Sequence, residues 1–387
     1  MRCSRPAPCR LILRRGSDIC KGDRCYCPGH EHFCGSCALA ARPQPGAARA
    51  PVAARPRRGR CSRGRRPPRR RAGTGARRAL HRLWSRVADL DPDDLGRRIA
   101  EMSLVRLIAQ RATIHLHTVD DALAWRPLVQ PTLGKALRNG FRAQLDGLDI
   151  AAVAAAGAAL LVERPRPPAE LGRALAALFP GRDPTALAAA VAYTEPVLQL
   201  PPRGVWGRTG KVMLAPVAHA LGRPLAADPA PDGLILRYLR AFGPATTSDI
   251  RTFTGLTGIR EIIDELPLRR FADERGRELL DVQEGPLPDP ETPAPPRFLG
   301  EFDNLLLGHE DRTRVLPAEH RAKVLLLPAR PLLVDGMAAG IWTSGADGIV
   351  VRAFEPIRDE AAVIAEGERM LAVLWQQSER TVRIEAH

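Results

Sequence analysis

LILRYLRAFGPATTSDIRTFTGLTGIREIIDELPLRRFADERGRELLDV, residues Leu234 to Val282, is the stretch whose pattern decides the fold. Ile235, Leu239 and Phe242 recur at helical spacing and stop at Gly243-Pro244, which predicts one amphipathic helix with a stop signal. Thr246 and Asp249 make a capping box for a second, short helix that buries Ile250 and Phe253. Thr257 opens a third, with Ile259, Ile262, Ile263 and Leu266 as its apolar stripe and Pro267 at its end. Two extended runs, Leu268 to Phe271 and Glu278 to Val282, flank a turn at Asp273-Glu274-Arg275-Gly276. Three helices and a hairpin within about fifty residues is the order of elements in a winged helix.

The same order is read twice more upstream. An Ala-rich helix from Asp149 to Val162, a helix carrying Leu171, Leu175, Leu178 and Phe179, and a third opening at Asp183-Pro184 lead into a hairpin, Val197 to Leu200 and Lys211 to Leu214. Before these, Asp91-Pro92 opens a helix and Leu104 to Ile108 and Thr113 to His117 read as strands, the second half of one more such unit. Thr118 and Asp121 cap a helix through Trp125, Leu128, Val129 and Leu133 that bridges to the next unit. The two helices that should come first would fall before residue 80, so this unit reads as truncated, with an uncovered apolar face. The predicted fold is mainly α with β-hairpins: tandem winged-helix (helix-turn-helix) domains at 81–145 (partial), 146–230 and 231–284. A Pro-rich linker, 285–297, then leads to a C-terminal mixed α+β domain, 298–387, with strands at Val324 to Leu327, Leu332 to Val334, Ile341 to Thr343 and Ile349 to Phe354, a turn at Asp335-Gly336, a helix from Glu360 to Trp375 and a last strand, Thr381 to Ile384.

Charge is divided unevenly along the 387 residues. The formal net charge is +15, yet residues 1–80 carry 20 Arg and one Lys against three acidic residues, and the remainder carries 37 basic and 40 acidic side chains. All eight Cys also fall before residue 62. Cys20, Cys25, Cys27, His30, His32, Cys34 and Cys37 are crowded enough to bind zinc, but their spacing is irregular and no apolar pattern surrounds them, so no metal site is assigned. Residues 1–80 read instead as a disordered Arg/Cys-rich segment, and residues 1 to about 82 as translated in a shifted frame; a genuine basic arm that grips phosphates without reading sequence is the other reading. No apolar run is long enough to span a membrane. The expectation is a cytoplasmic, nucleoid-associated monomer with no small-molecule cofactor.

Four stretches carry a resemblance: Leu83-Trp84-Ser85-Arg86, Arg111-Ala112-Thr113-Ile114-His115, Gly204-Val205-Trp206-Gly207, and above all the block from Phe302 to Arg312. Together they resemble the bacterial winged-helix DNA-binding family that includes the AlkZ and YcaQ type DNA glycosylases, over residues 83 to about 385. The resemblance implies double-stranded DNA as partner and excision of alkylated or crosslinked bases as activity. It also implies a Gln-x-Gln or Gln-x-Asp motif about a dozen residues before Leu83-Trp84, to steady the sugar cation or orient water. That neighbourhood here reads Arg70-Arg71-Ala72-Gly73-Thr74-Gly75-Ala76, so no catalytic residue is assigned and the expected activity is DNA binding with impaired excision. The alternative is a non-catalytic DNA-binding transcriptional regulator.

The candidate DNA-binding residues are Arg111, Thr113, His115, Arg203, Trp206, Arg208 and Lys211. Arg111, Thr113 and His115 alternate along one predicted strand and so share a face, although His115 reads equally well as a core histidine. Arg203, Trp206, Arg208 and Lys211 form a basic hairpin tip that would straddle a phosphate backbone, or Trp206 would pin the tip to its neighbour. Asp303, Asn304, His309, Asp311 and Arg312 are read as a polar cluster beside the substrate, or as a loop held by its own Asx turns. The third helices, Pro184 to Glu195 and Thr257 to Leu266, carry almost no basic residues and read as architectural rather than as recognition helices.

Overall fold

The computed structural model describes residues 9–10, 80–325, 329–345, 347–375 and 380–386. The zinc reading of Cys20 to Cys37 lies outside these residues, as do the basic arm and the shifted frame except at Cys9–Arg10 and at residues 80–82; Cys9–Arg10 form a two-residue strand, β1, parallel to Phe271–Ala272.

Residues 80–84 are helical, and α1 (Pro92–Ala100) follows, capped by the Asp91 carboxylate with Pro92 in its first turn. Strands β2 (Leu104–Ile108) and β3 (Ile114–Thr118) pair antiparallel. The single bridging helix expected after Thr118 is two. Thr118 caps α2 (Val119–Trp125), the chain turns at Arg126, and α3 (Gln130–Leu145) begins afresh; Pro127 and Pro131 explain the break, because proline cannot donate to the preceding turn.

Three helices follow as expected: α4 (Ile150–Glu163) capped by Asp149, α5 (Pro168–Leu178), and α6 (Pro184–Thr194) capped by Asp183. Their hairpin is shorter and displaced, β4 (Val197–Gln199) with β5 (Leu214–Pro216). It does not stand alone. β4 also pairs with β2, giving one four-stranded sheet ordered β3-β2-β4-β5. A short α7 (Val217–Leu221) leads to α8 (Asp232–Phe242), α9 (Thr247–Thr254) and α10 (Ile259–Glu265). The capping box of Thr246 and Asp249 is formed in both directions. Strands β6 (Leu268–Ala272) and β7 (Glu278–Val282) close this unit as an antiparallel pair.

The C-terminal part is a five-stranded sheet ordered β12-β11-β10-β9-β8, built from β8 (Arg297–Phe298), β9 (Pro331–Val334), β10 (Met337–Ser344), β11 (Gly348–Ala353) and β12 (Thr381–Ala386), with β12 parallel to β11. Asp335 and Gly336 both take positive φ between β9 and β10, as a two-residue hairpin turn requires. Helix α11 (Asn304–Leu307) precedes the sheet, and α13 (Glu360–Trp375) crosses from β11 to β12. Of the strand expected at Val324 to Leu327, the described residues Val324 and Leu325 are helical, in α12 (Arg321–Leu325), where both pack against one apolar core. Among the described residues no single helix is long and apolar enough to cross a membrane.

Packing overturns one expectation outright. The apolar face around Leu83, Trp84, Leu95 and Ile99 is covered, sharing a core with Val205 and Trp206 and with Phe298, Trp342 and Met370 of the C-terminal part. Trp84 Nε1 donates to Glu366 Oε1 at 2.8 Å, and the Arg369 guanidinium lies 4.3 Å from the Trp84 ring centre. The first unit is thus completed by the end of the chain, a contact between segments more than 200 residues apart that no local pattern encodes.

Candidate nucleic-acid interface

On β2 the alternation of the strand sends Val105 and Leu107 into a core and Arg106 to the opposite face. The loop between β4 and β5 folds over that arginine. Gly204 sits at φ +93°, and a Cβ there would lie 2.7 Å from Arg106 Cδ, so glycine is needed both for the turn and for the close approach. The loop is anchored by Val205 and Trp206, which are buried in the first core. Trp206 is therefore a packing residue, 8% exposed, whereas Arg208 and Lys211 of the same loop are exposed.

Arg111 does not alternate with Thr113 and His115 along a strand. It lies in a tight turn, Gln110–Ala112, with left-handed backbone at φ 53°, because the β2–β3 connection must reverse direction there. Its NH2 donates to Asn304 Oδ1 at 2.6 Å and its guanidinium stands 5.3 Å from the Phe253 ring centre. His115 is turned inward, 8% exposed, with Nε2 3.0 Å from the Gln110 carbonyl and 2.9 Å from Thr113 Oγ1. Donation to a carbonyl places the proton on Nε2 of a neutral ring, in keeping with a pKa lowered by burial, then by His117 and Arg111.

The block from Phe302 to Arg312 works as a clasp. Asp303 is fully buried, forms a two-pronged ion pair with Arg86, and caps α11 by accepting from Leu305 N at 2.9 Å. Asn304 holds Arg111. His309 Nε2 meets the Phe242 carbonyl at 2.9 Å and Arg314 NH1 at 2.7 Å, the Glu310 amide donates to Asp249 Oδ1 at 2.7 Å, and the Tyr238 hydroxyl donates to the Gly308 carbonyl at 2.7 Å. Asp311 accepts from Thr313 N and Oγ1 in an Asx turn and lies 3.7 Å from Arg277. These side chains fasten the first unit to α8 and α9; they do not converge on one point.

What does converge is positive charge. Burial lowers the pKa of Arg106 to about 10, with Arg203 and Arg82 contributing, and that of Arg111 to about 10, with Arg82 and Arg312 contributing against Asp303. Arg106 thus feels Arg203 and Arg82, and Arg111 feels Arg82 and Arg312, each in partly dehydrated surroundings that an anion would relieve. Sequence reasoning finds Arg111, Arg203 and Arg312 but misses Arg82, Arg106 and the Arg86–Asp303 pair. Arg106 alone leaves a trace, as the charged residue between two apolar ones on a strand.

Buried histidines give this region a pH dependence. His117 is 1% exposed, and burial, followed by Arg237, lowers its pKa to about 4. The unfolded chain takes up this proton near pH 6.5, so between 6.5 and 4 the unfolded state binds more protons. Stability from the neutral ring is complete above 6.5 and is lost toward pH 4, by about 3 kcal/mol. His309 acts in the same direction, lowered to about 4 by burial and Arg314. Asp281, raised to about 6 by burial, opposes them, its contribution being lost as pH rises through 6. The urea midpoint is expected to fall between pH 6.5 and 4, less steeply in His117→Leu; equal slopes in the two proteins would remove His117 from this account.

A family model described as DNA glycosylase AlkZ-like matches residues 71–373, beginning some residues earlier than the sequence motifs alone suggest. Among solved structures the chain is similar to Streptomyces sahachiroi DNA glycosylase AlkZ, with a TM-score of 0.65 and 24% identity over 79% of this chain and 88% of that one. A comparison with curated proteins gives no match.

Proposed function

The chain belongs to the AlkZ-like DNA glycosylase family, and on that premise we propose that it binds double-stranded DNA on the face bearing Arg106, Arg111, Arg203, Arg208 and Lys211 and excises bases weakly or not at all. The observation that carries the binding half is the arginine cluster, whose mutual repulsion and burial a phosphate backbone offsets. The order of three helices and a hairpin from Asp232 to Val282 supports reading that unit as a winged helix, with the earlier units as its relatives.

The second half rests on what surrounds the cluster. Cleavage of an N-glycosidic bond builds positive charge on the sugar, which a carboxylate or carboxamide stabilises. Around the cluster Asp303 is committed to Arg86, Asn304 to Arg111, and Gln110 is fully buried. The positive charge of Arg106, Arg111 and the guanidiniums acting on them opposes a sugar cation. This reading goes with the frame shift expected up to about residue 82, against which stands the start of the family match at residue 71; resequencing the coding region and finding the frame intact would remove that explanation. A sequence-specific regulator is the second reading, and it is weakened by α6, which has no charged residue, and by the exposed face of α10, where Arg260 stands among Glu261, Asp264 and Glu265.

The test uses the full chain, taken as a monomer, with a fluorescent duplex containing N7-methylguanine. Salt-dependent retention without abasic product above the uncatalysed rate is expected. Abasic product would overturn the impaired-excision half, and no retention at low salt would overturn the binding half.

A further inference from the structure

Phe302 stands in solvent, 54% exposed, the sole aromatic among the exposed large hydrophobic residues described. Its backbone is left-handed at φ 52°, a conformation that bulky residues rarely adopt and that persists only where neighbours enforce it. They do so on both sides. The Glu301 carbonyl accepts from Arg82 NH2 at 2.9 Å, the Asp303 carboxylate is pinned by Arg86, and Asn304 accepts from Arg111. A costly backbone conformation is thus braced by three arginines, and its result is an aromatic ring held out in water.

An exposed ring on a segment whose flanking residues are held by Arg82 and Arg111 suits one kind of ligand, a flat apolar face joined to negative charge. We propose that Phe302 is a base-stacking residue: it takes the face of a nucleobase loosened from the DNA stack while Arg82 and Arg111 hold the flanking phosphates. The inference rests on the DNA-binding reading and adds to it a preference for DNA that is locally unpaired. The strain has a purpose on this account, because relaxing φ to the ordinary region would swing the ring away from the direction in which the clasp presents it.

The experiment compares two labelled duplexes, one fully paired and one with a single-nucleotide bulge, by fluorescence anisotropy with the full chain and with Phe302→Gly and Phe302→Trp. Glycine accepts positive φ without cost, so Phe302→Gly removes the ring while keeping or raising Tm. Wild type is expected to bind the bulged duplex about tenfold more tightly than the paired one. Phe302→Gly should lose that tenfold, leave paired binding within about twofold, and not lower Tm, while Phe302→Trp keeps the preference. Unchanged bulge binding in Phe302→Gly, an equal loss on both duplexes, or a lowered Tm would each overturn the proposal, the last by showing Phe302 to be a packing residue. Failure of wild type to bind either duplex would defeat the DNA-binding reading and this inference with it, an outcome distinct from the others.

Discussion

Replacing Asp303 with alanine is expected to cost about 4 kcal/mol of folding free energy, because it leaves the Arg86 guanidinium buried without its counter-charge. The Arg86 side chain is 10% exposed and that of Asp303 not at all, so neither charge is returned to water by small movements. Part of the loss is local: Asp303 caps α11, and removing a cap costs about 1 kcal/mol. Asp303→Asn should therefore fall short of the alanine variant by about that amount, since asparagine caps but carries no charge. Removing both partners at once, as Arg86→Met with Asp303→Leu, should restore most of the stability, because two apolar side chains avoid the desolvation of two ions. Urea unfolding followed by tryptophan fluorescence reads this well, as Trp84, Trp206 and Trp342 belong to the core nearest the pair. A double variant no more stable than Asp303→Ala would show that the clasp depends on something other than its ion pair.

That pair also marks where sequence reasoning stops. The capping box of Thr246 and Asp249, the Asp-Pro helix starts, the Asp335-Gly336 turn and the helix from Glu360 to Trp375 are legible because each signal and its partner lie within a few residues. The sheet that joins β2 to β4 is not, since Leu107 and Leu198 meet across about 90 residues and each hairpin looks self-sufficient in sequence. The covering of the first unit by the C-terminal part is hidden for the same reason. Trp206 in a basic loop reads as a surface residue until Gly96 is seen to pack against its backbone, where an added Cβ would stand 3.2 Å from the Trp206 nitrogen. Phe302 escapes notice because exposure and positive φ are invisible in a motif chosen for its polar residues.

The loop between β4 and β5 divides its labour, and this fixes what its basic residues should do. Val205 and Trp206 tie it to the core, Gly204 lets it pass over Arg106, and Arg208 and Lys211 are left exposed. Changing both exposed residues to alanine should leave the fold intact and weaken binding to any duplex, whatever its sequence or damage, by about 10- to 100-fold at low salt. Removing one phosphate-neutralising side chain lowers the slope of log affinity against log salt by about 0.9, so the double variant should be flatter than wild type by about 1.8. The direction of this second effect decides more than the first: misfolding lowers affinity too, but it does not convert a steep salt dependence into a shallow one while Tm stays constant. Phe302→Gly is expected to do the opposite, reducing the preference for unpaired DNA with the salt slope untouched, because stacking releases no counterions. If Arg208→Ala with Lys211→Ala binds with wild-type slope, the loop does not reach the backbone, and the duplex must instead be held by Arg106 on β2 and Arg111 in the turn that follows it.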